Sequence, residues 1–190
     1  MNSFKARIVT LAAIICGAIV LAALPQVKPV EHIPVKAISA RPDDVSSIDN
    51  IVKASYETIS GGVGVPRQWD RDRSLYDPNV RFVSIDVDPK SKAVAAHSMS
   101  HQDFVDHADN FMVKEGFEEH ELKHVTRQFG NAATVLSSYE GSVASTGKVV
   151  TRGVNIFQLY FDGTRWWILS MVWDEERPDN PLPHDLLANK

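Results

Sequence analysis

The sequence predicts an α+β fold, with helices in the first half of the chain and long antiparallel strands in the second. Two observations carry this. Apolar residues recur at helical spacing up to Gly116, and after it the period falls to two. The alternating runs are separated by Gly130-Asn131, Ser145-Thr146-Gly147 and Asp162-Gly163, each with the chemistry of a tight hairpin. Strands joined by consecutive hairpins make a meander, and a helix-then-strand order packs the helices on one face of it.

Taken in order, Ile48, Ile51, Val52, Ser55 and Ile59 stripe a first helix, with Ser46 or Ser47 as cap and Gly61-Gly62 as stop. A second runs from Pro66 through Leu75, since proline suits a first helical position and Asp77-Pro78 ends the run. Val80 to Val87 alternates as a strand. Ser100 with Asp103 forms a capping-box start for a third helix, striped by Phe104, Ala108, Phe111 and Met112. Four long strands follow, at about 117–129, 132–143, 149–162 and 165–175.

The 190 residues suffice for one cored domain. A 44% apolar and 23% charged composition is that of a globular protein. The net charge of −4 becomes −6 when Lys5 and Arg7 are set aside, and the remaining basic residues form no face, which excludes a nucleic-acid partner. Lys5 and Arg7 precede an uncharged run from Ile8 to Leu24 and then Pro25, the layout of a secretory signal with cleavage after Ala22 or Ala23. Seventeen residues rise roughly 25 Å as a helix against a bilayer core of about 30 Å, so an uncleaved membrane anchor is the alternative. Either way the body is expected to be exported, periplasmic or extracellular. Cys16, the only cysteine, lies in this segment, so the mature body is without disulfides. Residues 25–45 carry four prolines and read as a linker, and 185–190 as a tail around a domain at 46–184.

Four stretches point further: Arg67-Gln-Trp-Asp-Arg-Asp-Arg-Ser-Leu75, Phe129 through Glu140, Arg152-Gly-Val-Asn155, and the tryptophan-rich last strand running into Glu176-Arg-Pro178. With the order of elements, they resemble the nuclear transport factor 2-like superfamily, which includes ketosteroid isomerase, scytalone dehydratase and polyketide-cyclase-like (SnoaL-like) proteins, and within it a bacterial subgroup. The resemblance implies a cystatin-like roll: a cone-shaped curved antiparallel sheet, about three helices on its concave face, and a pocket between them. It implies no particular reaction. The carboxylate, tyrosine and protonated aspartate of ketosteroid isomerase, and the paired histidines and tyrosines of scytalone dehydratase, have no matched positions here.

On the first long strand Glu119, Glu121, Lys123 and Arg127 share one parity, as solvent-facing cross-strand pairs do. If that parity instead points into the cone, Glu121 becomes a desolvated carboxylate and a candidate general base, and the resemblance places a glutamate there. Asn155 shares its strand face with Phe157, Leu159 and Phe161, so its amide needs a partner among apolar neighbours, either as a ligand-orienting group or to satisfy a bulge at Gly153. Trp69, Trp173 and Tyr56 complete the ligand-binding candidates, with a core role as the alternative for the tryptophans. Trp166, Ile168 and Val172 alternate with Trp167, Leu169 and Trp173, so both faces of the last strand are apolar, and a homodimer through the sheet is expected. Histidines and acids from His101 to Asp109 do not share one helix face, and His120 and His124 lie about 13 Å apart on a strand. No metal and no cofactor is expected. Serines without a Gly-x-Ser-x-Gly elbow are expected to be inert. The functional expectation is a binding domain for a small apolar molecule. The alternatives are a cofactor-free lyase or isomerase with Glu121 as base, or a structural module with a filled cone.

Overall fold

A computed structural model describes residues 30–187, so the predicted export segment, Cys16 included, lies outside the described residues. Four helices, α1 (Pro42–Val45), α2 (Ile48–Ile59), α3 (Trp69–Arg73) and α4 (His101–Glu115), accompany six strands, β1 (Tyr76–Val87), β2 (Val94–Met99), β3 (Phe117–Phe129), β4 (Ala132–Val143), β5 (Lys148–Phe161) and β6 (Trp166–Glu175). The sheet order is β2-β1-β6-β5-β4-β3. β3 to β6 form the predicted antiparallel meander, whereas β1 joins β6 in parallel, with Phe82 opposite Met171 and Ser84 opposite Trp173. Among the described residues no helix is long and apolar enough to cross a membrane.

Local chemistry sets the helix ends. Ser47 Oγ accepts from Asn50 N at 3.1 Å to start α2. Ser100 and Asp103 complete a reciprocal capping box on α4, Asp103 N donating to Ser100 Oγ and Ser100 N to Asp103 Oδ2. Gly116 ends α4 at φ +70 with the backbone of Val63 and the Ala144 side chain pressed against it, so the chain turns into β3 where no Cβ fits. The predicted stripe on α4 is rotated: Val105 and Met112 are buried, while Phe111 stands 47% exposed.

The main core lies between α2 and the concave sheet face, where Ile51 and Val52 meet Phe82, Val135, Phe157 and Ile168. A second cluster joins Trp69 to Val105, Met112 and Phe117 under α4. The two are held together by a buried polar knot. Asp72 of α3 accepts from Thr58 Oγ1 at 2.6 Å, and its other oxygen lies 2.8 Å from His101 Nε2, the side chains of the pair being 1% and 4% exposed.

The segment expected to be a linker is docked over its described part. Ile33 N donates to Asp106 Oδ1 at 2.9 Å and Lys36 N to Asp70 Oδ1 at 2.7 Å, while Ile33 and Val35 pack on the Trp69 cluster. Asp44 pairs with Arg71 through both carboxylate oxygens. Residues 30–41 form neither helix nor strand and Pro42 opens α1, while carboxylates of α3 and α4 accept from the backbone of Lys36 and Ile33. At the other end a 3-10 turn, His184–Leu186, covers part of the convex sheet face. Ser138 Oγ donates to Leu186 O at 2.5 Å, and Leu186 is 1% exposed, so the domain runs past the tail boundary expected at 185. This is the face on which the expected second copy would sit, and the chain itself occupies some of it.

Candidate functional site

β3, β5 and β6 bend over α2 and α4 around a cavity of about 150 Å3. Phe82, Phe104, Phe157 and Met171 form its apolar depth, and Tyr76, Phe117 and Met112 enclose it. Phe82 stacks on Phe104 at a centroid distance of 5.2 Å, and Phe104 meets Trp173 edge-on at 6.3 Å. The polar lining is Tyr56, Asn155, Glu119 and Tyr139, with Thr151 and Glu175 beside them.

Two glycines make the room. Gly141 stands opposite Glu119 and Thr151, and a Cβ there would meet the Phe117 ring at 2.8 Å. Gly153 stands opposite Tyr139 and Glu175, and a Cβ would meet Tyr139 OH at 2.8 Å and the Asp174 carbonyl. Gly153 was expected to mark a bulge. The β4–β5 irregularity lies instead at Gly141/Ser142, and Gly153 serves close approach.

Asn155 Nδ2 donates to Tyr56 OH at 3.1 Å and to Glu119 Oε1 at 3.4 Å. Tyr56 OH lies 2.7 Å from Ser137 Oγ, which donates to Glu121 Oε1 at 2.5 Å, leaving the tyrosine proton for the serine. Glu121 Oε1 is also 2.9 Å from His124 Nδ1, and His124 Nε2 is 3.5 Å from Asp49. A hydrogen-bonded row thus runs from the cavity to the surface. Burial drives the Tyr56 and Tyr139 hydroxyls well above the usual tyrosine range, so both stay neutral donors. Burial also pushes the Glu119 carboxyl up to about 7, with the Asn155 hydrogen bond pulling slightly the other way.

The sequence candidates divide accordingly. Tyr56, Asn155 and Trp173 meet at the cavity, and the acidic parity of β3 points inward. Glu121, the predicted base, is not on the cavity wall: it faces Tyr139 across the ladder and is occupied by Ser137 and His124. The cavity carboxyl is Glu119, one step along the same parity. Trp69 is also outside, packed on Phe104 with Nε1 donating to Asp109 at 2.6 Å, the core role given as its alternative. His101, considered above only as a metal ligand, is buried against Asp72, and its place at the first turn beside apolar Phe104 and Val105 was the one hint of this. Among the described residues no group of three or more His, Cys, Asp or Glu is arranged to hold a metal.

No family model matches the chain, and no curated protein does. Solved structures do. A protein with a cystatin-like fold from Caulobacter vibrioides aligns over 70% of this chain and 90% of its own, at 11% identity and a TM-score of 0.50. Bd1075 of Bdellovibrio bacteriovorus aligns over 69% of this chain at 13% identity and a TM-score of 0.50, and this chain spans 40% of it. A nuclear transport factor 2-like protein of unknown function from Methylobacillus flagellatus aligns over 69% of this chain and 95% of its own, at 12% identity and a TM-score of 0.45. The fold shared at that level is cystatin-like. At these identities the architecture alone is what is shared, and the residues of the cavity have to speak for its chemistry.

Proposed function

We propose that this domain, working after export, binds a small, mostly apolar molecule between the sheet and helices α2 and α4, with Asn155, Tyr56 and Glu119 meeting its polar end. The observation behind this reading is an interior space walled by rings and aliphatic chains whose polar groups are hydrogen-bonded to one another on one side. Its volume, about 150 Å3, is that of an engineered cavity that takes benzene and falls below the roughly 300 Å3 at which drug-sized ligands begin to fit. A ligand with one ring is favoured over a four-ring steroid. Toluene is the direct probe. Titration calorimetry should give a dissociation constant on the order of 0.1–1 mM, and a saturating amount should raise the melting temperature. Neither effect at solubility-limited toluene would reject the reading.

A second reading follows from Glu119. A carboxyl with a pKa near 7 suits a general base at neutral pH, and the Asn155 amide beside it can turn a donor toward a developing oxyanion. This is the cofactor-free isomerase or lyase alternative with its base moved from Glu121 to Glu119. Cyclohexanone in deuterated buffer tests it: wild type should accelerate exchange of the protons beside the carbonyl, and Glu119→Gln should lose at least about a hundredfold of that rate. Equal rates in the two proteins would exclude Glu119 as a base.

A further inference from the structure

The cavity has an unbalanced electrostatic make-up. Two of its lining residues are carboxylic acids, Glu119 and Glu175, and among the described residues that line it there is no lysine, arginine or histidine. Three buried or partly buried acids elsewhere have a basic partner: Asp44 with Arg71, Asp72 with His101, Glu121 with His124. Glu119 has only the amide of Asn155 at 3.4 Å, and Glu175 only the Thr151 hydroxyl at 3.3 Å. The rest of the wall is aromatic, with Tyr56, Phe82, Phe104, Tyr139 and Trp173 among its rings. Ring faces carry partial negative charge and attract cations, as do uncompensated carboxylates. A neutral apolar ligand would fill the space and leave the acids unpaired. An anion would be repelled.

We propose that the ligand is a small organic cation, a one-ring or similarly compact molecule carrying an ammonium or quaternary ammonium group, with its charge between Glu119 and Glu175 and its apolar part among the rings. The proposal rests on the binding reading above and narrows it to one charge class. The raised pKa of Glu119 agrees with it, since what lifts it is burial with no cation close by. Such a cation would supply the missing partner and hold the carboxyl ionised. Glu175 is exposed and Glu119 half-buried, so the acids run from rim to interior and would guide the charged end in.

Three probes of one shape and different charge, titrated calorimetrically into the protein at pH 8, test this: benzylamine (cationic at that pH), benzyl alcohol (neutral) and benzoate (anionic). Benzylamine should bind at least about tenfold more tightly than benzyl alcohol, and benzoate should not bind measurably. The double variant Glu119→Gln/Glu175→Gln should bring the two affinities level, and a melting temperature no lower than that of wild type at this pH shows that its fold is intact. If benzyl alcohol matches or beats benzylamine on wild type, the cation proposal fails and the apolar-ligand reading stands. If the preference survives in the double variant, the cation is held elsewhere and the proposal fails. If none of the three probes binds, both readings fall together.

Discussion

Glu119 is an acid raised from an ordinary value near 4.5 to about 7, with a direct consequence for stability. The folded protein holds a proton there that the unfolded chain has released, so this residue's contribution is fully favourable below about pH 4.5 and is lost as pH rises through 7. The loss amounts to on the order of 3 kcal/mol once the carboxyl is ionised without a partner. Glu119→Gln cannot ionise. The variant should gain stability relative to wild type between pH 5 and pH 8, measured by urea unfolding at both values. A constant difference across that range would show that the carboxyl is not desolvated. Part of this site was legible in the sequence. Asn155 stands out as an amide in an otherwise apolar strand face, whereas Trp173 lies on the parity opposite to buried Ile168 and reaches the cavity only past the β5–β6 irregularity at Gln158/Leu159. The choice between Glu119 and Glu121 was not legible. Both share one parity, and what separates them is depth: Glu119 faces Gly141, which leaves space, whereas Glu121 faces Tyr139 beside the irregularity between Glu121 and Lys123.

At the level of elements, α3 is only five residues long, too short to persist alone. It is kept in place by what its side chains reach. Asp72 bonds to α2 through Thr58 and to α4 through His101, while Arg71 clasps Asp44 of α1 and Glu57 of α2. Removing one member of a buried hydrogen-bonded pair of this kind costs roughly 3–5 kcal/mol. Asp72→Ala should lower the denaturation midpoint accordingly, and a loss below about 1 kcal/mol would mean that the knot carries little of the stability. Turn and cap chemistry made α2, α4 and the four long strands readable almost to the residue. β2 escaped because Val94–Met99 is an exposed edge strand rich in alanine, where no buried face imposes a period. The docked segment at 30–45 escaped for a different reason. Prolines and missing periodicity mark a stretch as irregular, but they carry no information about distant carboxylates such as Asp70 and Asp106 that supply its partners.

For the whole molecule, helices packed on the concave face of a bent sheet could be inferred from the order of elements, and the structure agrees. The parallel β1–β6 seam could not, because it pairs stretches about ninety residues apart, and hairpin signals are local. The seam also governs when the cavity exists. Phe82 and Trp173 reach it from opposite sides of that boundary, so a chain with only its meander formed has one wall and no enclosure. Long-range closure of this kind is slow because loop entropy is lost before contacts repay it. During refolding, then, the ability to capture a ligand should emerge in the final kinetic phase, after the hairpins have already zipped.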